Sequence, residues 1–262
     1  MIDFHNHFLP GVDDGAKTLE ESIEMLKFAS EQGITEAVQT VHYQHPKMEN
    51  KNVDYDYLSK KIEELQQVLS KKNINIKLHL SAEVFYLPNL LDLLNNPLVT
   101  IGDNKYMLIE FYANIYPTNY EKEFFKLQSN GITPIVAHPE RYRFVKEDID
   151  ILTKWIDRDY VLQIDGGSII GHFGDNTKDF SIEMIKKGYV HLIGSDAHNN
   201  KKRNFCLFES YKVLENILEF EDIEILKNNS NNILHGKKVQ NLNSVIDKKN
   251  SSFNRIKKIF KF

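Results

Sequence analysis

The sequence predicts a parallel α/β arrangement of a size that suits one barrel. Three observations predict it. Short apolar runs alternate with longer amphipathic stretches, and the alternation repeats seven times. The 262 residues match the roughly 250 of a single α/β barrel and are enough to bury a large core. No internal repeat or long linker divides the chain, so one domain is expected over 1–245, with a distinct tail at 246–262.

In order, the strand candidates are residues 1–7 (MIDFHNH), 34–42 (ITEAVQTVH), 74–83 (INIKLHLSAE), 106–111 (YMLIEF), 132–138 (ITPIVAH), 160–167 (YVLQIDGG) and 189–198 (YVHLIGSDAH). The clearest helix lies between the first two, in TLEESIEMLKFASEQG. Thr18 and Glu21 read as a capping box, Ile23, Leu26 and Phe28 as its apolar positions, and Gly33 as its end. NYEKEFFKLQSNG and FSIEMIKKG also close on glycine.

Composition excludes several classes. A net charge of -4 provides no basic field for nucleic acid. No stretch approaches the roughly 20 apolar residues of a membrane helix, and the start does not read as a signal peptide. Cys206 is the only cysteine, which rules out an internal disulfide and fits a reducing, cytoplasmic setting. In the tail, residues 247–262 carry six Lys/Arg, one Asp and Phe253, Ile256, Ile259, Phe260 and Phe262. A solvated end is the plain reading, and a basic amphipathic element making weak membrane-surface contact is the sharper one. Liposome binding with and without 247–262 separates them.

The chemistry gathers at the strand ends. His5 and His7 stand two apart, on one face of a strand. His42, Glu83, Glu110 and His138 end the next candidates, and Asp196 and His198 repeat the two-residue spacing. Five of these are among the chain's ten histidines. The C-terminal ends of barrel strands meet at one mouth. Imidazoles and carboxylates buried together need compensation, because desolvating each costs several kcal/mol. A divalent metal centre supplies it. Mixed nitrogen and oxygen ligands without thiolate suit Mn²⁺, Fe or Zn²⁺. So many ligands imply two or three ions, which could polarise a phosphoryl oxygen and generate hydroxide at neutral pH. Arg141 and Arg203 follow two of these ends and suit a tetrahedral oxyanion, with Arg143 a weaker candidate.

The segments DFHNHFLPGVDDG, TVH, SAE, LIEF, AHPERY and GSDAH resemble the polymerase-and-histidinol-phosphatase (PHP) superfamily, and within it the manganese-dependent tyrosine-protein phosphatases of bacterial capsule and exopolysaccharide synthesis. The resemblance runs from residue 1 to about 240. It implies a distorted (β/α)₇ barrel with a trinuclear metal centre. By matching motif, the metal ligands would be His5, His7, Asp14, His42, Glu83, Glu110, His138, Asp196 and His198, with Asp13 in a turn or behind a ligand. Arg141 and Arg203 match the family's phosphate-binding arginines, although NNKK before Arg203 departs from the pattern. The implied reaction is hydrolysis of phosphotyrosine on a protein, the tail of an autophosphorylating kinase being the implied partner. Asp196 or His198 could protonate the leaving oxygen, although a phenolate of pKa about 10 leaves readily.

His45 is a candidate to line the mouth, and His79 shares a strand face with Glu83. His172, His191 and His235 read as structural or exposed. Segments 41–46 and 111–117 supply aromatics that line a phosphotyrosine pocket or pack the core. A thiol phosphatase is rejected, because Lys212 stands where Cys206 would need an arginine. An amidohydrolase is disfavoured, since no strand candidate ends on lysine. A PHP phosphoesterase acting on histidinol phosphate and a non-catalytic phosphopeptide-binding scaffold remain as alternatives.

Overall fold

The computed structural model describes residues 1–48 and 53–242. The tail 246–262 and the boundary at 245 lie outside the described residues. Seven parallel strands run in sequence order: β1 Ile2–Asn6, β2 Glu36–Tyr43, β3 Lys77–Phe85, β4 Tyr106–Glu110, β5 Thr133–Ala137, β6 Val161–Asp165 and β7 Leu192–Gly194. β4 and β6 are buried at every residue, as strands covered on both faces must be. Around them lie α1 Leu19–Glu31, α2 Tyr55–Lys71, α3 Tyr120–Ser129, α4 Arg143–Glu147, α5 Asp150–Asp157, α6 Gly166–Ile170, α7 Asp175–Lys186, α8 Leu207–Leu214 and α9 Phe220–Leu234. None of the described helices is long and apolar enough to cross a membrane.

The sheet closes on itself. Past the end of β7, the Asp196 amide donates to the His5 carbonyl (2.8 Å) and the His7 amide to the Ala197 carbonyl (2.8 Å). Phe4, Val38, Leu108, Ile135, Val161 and Leu192, from six strands, form one buried cluster with Ile233 of α9. With β1 bonded to the chain past β7, this cluster fills the barrel interior. Closure also explains a glycine. A Cβ on Gly194 would lie 2.6 Å from the Cβ of His5, so no larger residue lets β7 meet β1.

The sequence-based expectations differ in detail. Thr18 Oγ1 accepts from the Glu21 amide (3.2 Å), but Glu21 Oε2 accepts from Lys17 N (2.8 Å) rather than from Thr18. The buried stripe of α1 is Ser22, Met25, Leu26 and Ala29, which leaves Phe28 exposed. The β3–β4 crossover contains no α-helix, only 3₁₀ turns at Leu90–Leu93 and Pro97–Val99. Pro88 precedes the first turn and Pro97 opens the second, so no α-helix runs continuously through the stretch. β7 ends at Gly194, short of its predicted limit, because Asp196 adopts a left-handed φ of 49°.

At the opposite end of the barrel, His191 is buried. Its Nδ1 accepts from Leu162 N (3.0 Å), so the hydrogen sits on Nε2 and is donated to Asn241 Oδ1 (2.9 Å). Burial pushes this imidazole down to about 4. The unfolded chain therefore binds a proton near pH 6.5 that the folded chain refuses until about pH 4. Stability is expected to fall as pH drops through this window, by about 3 kcal/mol from this group. In urea unfolding, His191→Gln should be less stable at pH 7 but lose less between pH 6.5 and pH 4.

Candidate functional site

Glu83 lies at the hub of the barrel mouth. It is 1% exposed, within β3. Its Oε2 lies 3.1 Å from His5 Nε2, 3.4 Å from His7 Nε2 and 3.3 Å from His42 Nδ1, and its Oε1 lies 2.8 Å from His138 Nε2. Asp196 Oδ1 approaches His5 and His7 at 3.7 and 3.5 Å, and Asp14 Oδ1 is 3.3 Å from both His42 Nε2 and His198 Nε2. Glu110 lies 3.6 Å from His138 and 3.0 Å from His45. A cavity of about 190 Å³ is lined by Asp14, His42, His45, Glu83, Glu110, His138, Arg141, Asp196, His198 and Arg203, with Lys47 and Met48. All nine ligands implied by the resemblance, and both arginines, therefore meet in one place.

Local backbone geometry places them. From the pair Asp3–Ala37 to the pair Asn6–Gln39, β1 advances three positions and β2 only two, a bulge that re-aims the chain beside His5. His7 follows the strand's last residue. His138 lies just past β5 with φ 34°, and the 3₁₀ turn Pro139–Arg141 then carries Arg141 back over the mouth. Gly15 presses on His7. A Cβ there would sit 1.9 Å from the His7 carbonyl oxygen, which accounts for the glycine after Asp13 and Asp14.

The imidazole tautomers suit cations. His5 Nδ1 donates to Gln163 Oε1 (2.9 Å), His7 Nδ1 to Asp13 Oδ2 (2.8 Å) and His198 Nδ1 to the Asp196 carbonyl (2.8 Å). In the neutral rings each Nε2 then presents a lone pair to carboxylate oxygens, and a proton or a metal ion must lie between them. His5 Nε2, His7 Nε2 and His42 Nδ1 are buried without a hydrogen-bond partner. Lone pairs facing lone pairs repel, so a cation belongs between them. Three groups offer ligand atoms within 4.8 Å of one another: His7, Asp14, His42 and His198; His5, His7 and Asp196; His42, Glu83 and Glu110. The donor set fits divalent metal ions.

Charge tells the same story. Burial pushes Glu83 up, but His5, His138 and His42 overcome it and hold the carboxyl well below the usual range. Asp196 is likewise raised by burial, and His198, Arg203, His7 and His5 bring it well below. Burial lowers His7, yet Asp13, Asp196 and Glu83 raise it well above its ordinary value. Positive charge is thus demanded at the imidazoles, and metal ions would supply it.

The arginines form the other wall. Arg141 Nη1 donates to Asp165 Oδ2 and Asp196 Oδ2, both at 2.9 Å, and Arg203 Nη2 donates to Asp196 Oδ2 at 2.5 Å. Arg143 is exposed and paired with Glu147 (2.7 Å), away from the site. His79 bonds Glu36 (2.7 Å), toward the far end of β3 from Glu83. Phe111 belongs to the aromatic core, whereas Tyr112 is exposed and meets Phe85 edge-on, and Phe85 in turn meets His45. Sequence reasoning missed Gln163 and Gln39. Gln39 donates to Asp13 (3.4 Å) and accepts from Leu9 N (2.7 Å). Their one signal is a glutamine at a fully buried strand position.

Residues 1–235 match the family described as capsular polysaccharide synthesis, CpsB/CapC. The chain belongs to the CpsB/CapC family. Within it, the chain is 36% identical over 216 residues to the tyrosine-protein phosphatase YwqE of Bacillus subtilis, covering 82% of this chain and 84% of YwqE. CapC of Staphylococcus aureus is 32% identical over 240 residues, covering 91% and 93%. A structure from work on YwqE of B. subtilis and CpsB of Streptococcus pneumoniae, metal-dependent tyrosine phosphatases, superimposes with a TM-score of 0.86 at 33% identity, covering 92% of this chain and 97% of that one. Histidinol phosphate phosphatase of Lactococcus lactis, at 14% identity, TM-score 0.53 and 82% and 93% coverage, shares the fold.

Gln163→Leu should leave His5 without its anchor. Divalent-metal affinity of this CpsB/CapC protein is expected to fall about 10–100-fold, read by competition with a chromogenic chelator. Unchanged affinity would remove Gln163 from the site.

Proposed function

We propose that the chain is a metal-dependent protein-tyrosine phosphatase that hydrolyses phosphotyrosine in the cytoplasm and counteracts an autophosphorylating kinase of capsule or exopolysaccharide synthesis. One observation carries the reading: buried imidazole nitrogens without hydrogen-bond partners lie against carboxylates that line a small cavity together with two guanidiniums. The relatives' names and the family's role in capsular polysaccharide synthesis support the substrate class. The single cysteine, Cys206, is buried and its thiol is pushed by burial up to about 12, which argues against a thiol nucleophile.

His5, His7, Asp14, His42, Glu83, Glu110, His138, Asp196 and His198 are the proposed ligands of two or three ions, with Mn²⁺ the first candidate and Fe or Zn²⁺ the alternatives. When bound, such ions polarise a phosphoryl oxygen and acidify water. The chain's own groups do the rest. Arg141 and Arg203 receive the phosphoryl oxygens and neutralise charge that grows in the transition state. Asp165 and Asp196 both hold Arg141 through its Nη1. The guanidiniums and neighbouring imidazoles keep Asp196 ionised, so it anchors rather than donates a proton. His198 commits Nδ1 to the Asp196 carbonyl and Nε2 to the ligand side. The phenolate can therefore leave without either as acid, consistent with its pKa of about 10.

Purified protein loaded with Mn²⁺ should release phosphate from a phosphotyrosine peptide faster than from histidinol phosphate. A chelator should abolish turnover, and a thiol alkylator should leave it intact. Arg141→Ala should lower kcat/KM by about 10²–10³-fold. Activity that survives chelation, or that prefers histidinol phosphate, would overturn the reading.

A further inference from the structure

Between α6 and α7 the chain turns outward through His172–Gly174, flanked by Gly171 at φ 91° and Gly174 at φ 86°. The ring of Phe173 at this turn covers both arginines of the cavity. Its centroid lies 4.9 Å from Arg141 Cζ and 6.0 Å from Arg203 Cζ. The ring's position is built in. A Cβ on Gly167 would fall 3.2 Å from Phe173 Cε2 and from His172 Nδ1, so the bare backbone of α6 lets the ring settle there. The same segment begins at Asp165, which grips Arg141 through Nη1.

We propose that Phe173 is a positioning residue for the phosphate-binding arginines, its π-face holding the two guanidiniums toward the anion. The inference rests on the proposed role of Arg141 and Arg203 as the oxyanion site. Carboxylates restrain the two side chains at their edges: Asp165 and Asp196 bind Arg141 Nη1, and Asp196 binds Arg203 Nη2. Hydrogen bonds at an edge leave a planar group free to tilt. An aromatic ring lying over the group restricts that tilt and attracts the cation through the ring quadrupole. The need is plain at Arg203, whose Nε is buried and hydrogen-bonds to nothing among the described residues. With Nε unheld and only Nη2 bound to a carboxylate, this guanidinium depends on the ring over it to keep its orientation.

Inorganic phosphate lacks a phenyl ring, so its binding reports the arginines and not any stacking of the substrate's ring. Calorimetric titration of the Mn²⁺-loaded protein with phosphate should show roughly tenfold weaker binding for Phe173→Ala, with a similar loss in kcat/KM on phosphotyrosine peptide. Phe173→Tyr should restore both. Phe173→Leu, which keeps apolar bulk without a π-face, should resemble Ala and protects the test against a variant that fails to fold. In an Arg141→Ala, Arg203→Ala background, Phe173→Ala should add nothing. Unchanged phosphate affinity, full function in the Leu variant, or an undiminished effect in the double-arginine background would each overturn the proposal. Phosphate binding needs no turnover, so a wild type that binds phosphate in this Phe173-dependent way yet hydrolyses no phosphotyrosine would remove the functional reading alone.

Discussion

Two carboxylates taken almost wholly out of water, Glu83 and Asp196 at 1% and 3% exposure, impose the constraint on which the mouth of this barrel depends. Ionised oxygens at that depth cost several kcal/mol each unless positive charge lies against them. The chain answers with five imidazoles and two guanidiniums, and it fixes three of the imidazoles by their outer nitrogens. Gln163, Asp13 and the Asp196 carbonyl take the Nδ1 hydrogens of His5, His7 and His198. The inner lone pairs are then unable to neutralise the carboxylates by themselves. The arrangement makes sense when cations complete it.

Barrel closure is inseparable from that site. The seam between β1 and the end of β7 is stitched by the His5 carbonyl and the His7 amide, so the backbone of two prospective ligands holds the barrel shut. Gly194 lets the seam close against His5, and Asp3 supports its other side through the Ser195 amide (2.9 Å). Disturbing the seam therefore moves ligand atoms as well as strands. Residues that look structural there carry functional consequence, and distance from the cavity is a poor guide to tolerance.

Much of this was legible in the sequence because acids and imidazoles that end apolar runs contribute little to a packed core and point to chemistry instead. His42, Glu83, Glu110 and His138 could be placed at the mouth from position alone. Strict alternation was a poorer guide. His5 and His7 share the site across a bulged strand, and Asp196 and His198 share it from beyond β7 through a left-handed residue. A period of two cannot describe either case. The missed β3–β4 crossover follows from Pro88 and Pro97, whose punctuation was in plain view. Gln163, Gln39 and Phe173 were illegible for a different reason. A glutamine or phenylalanine has no chemistry of its own to announce, and its role exists only through the histidine or arginine it meets in space.

Asp196 shows why the two walls of the cavity should not be treated separately. Its Oδ1 faces His5, His7 and His198, while its Oδ2 accepts from Arg141 and Arg203. One carboxylate thus spans the prospective metal side and the anion side. Drawing its charge toward a cation weakens its hold on the guanidiniums and frees them for phosphoryl oxygens, and removing the arginines leaves it more strongly available to cations. The two halves are coupled through a single rigid group, so losses at ligands and at arginines should combine non-additively, as expected of residues acting as one unit. Asp165 tempers that coupling, since it retains Arg141 when Asp196 is engaged elsewhere. Among the described residues Arg203 pairs with no second carboxylate, which makes it the less restrained of the two and the one most dependent on what covers its face.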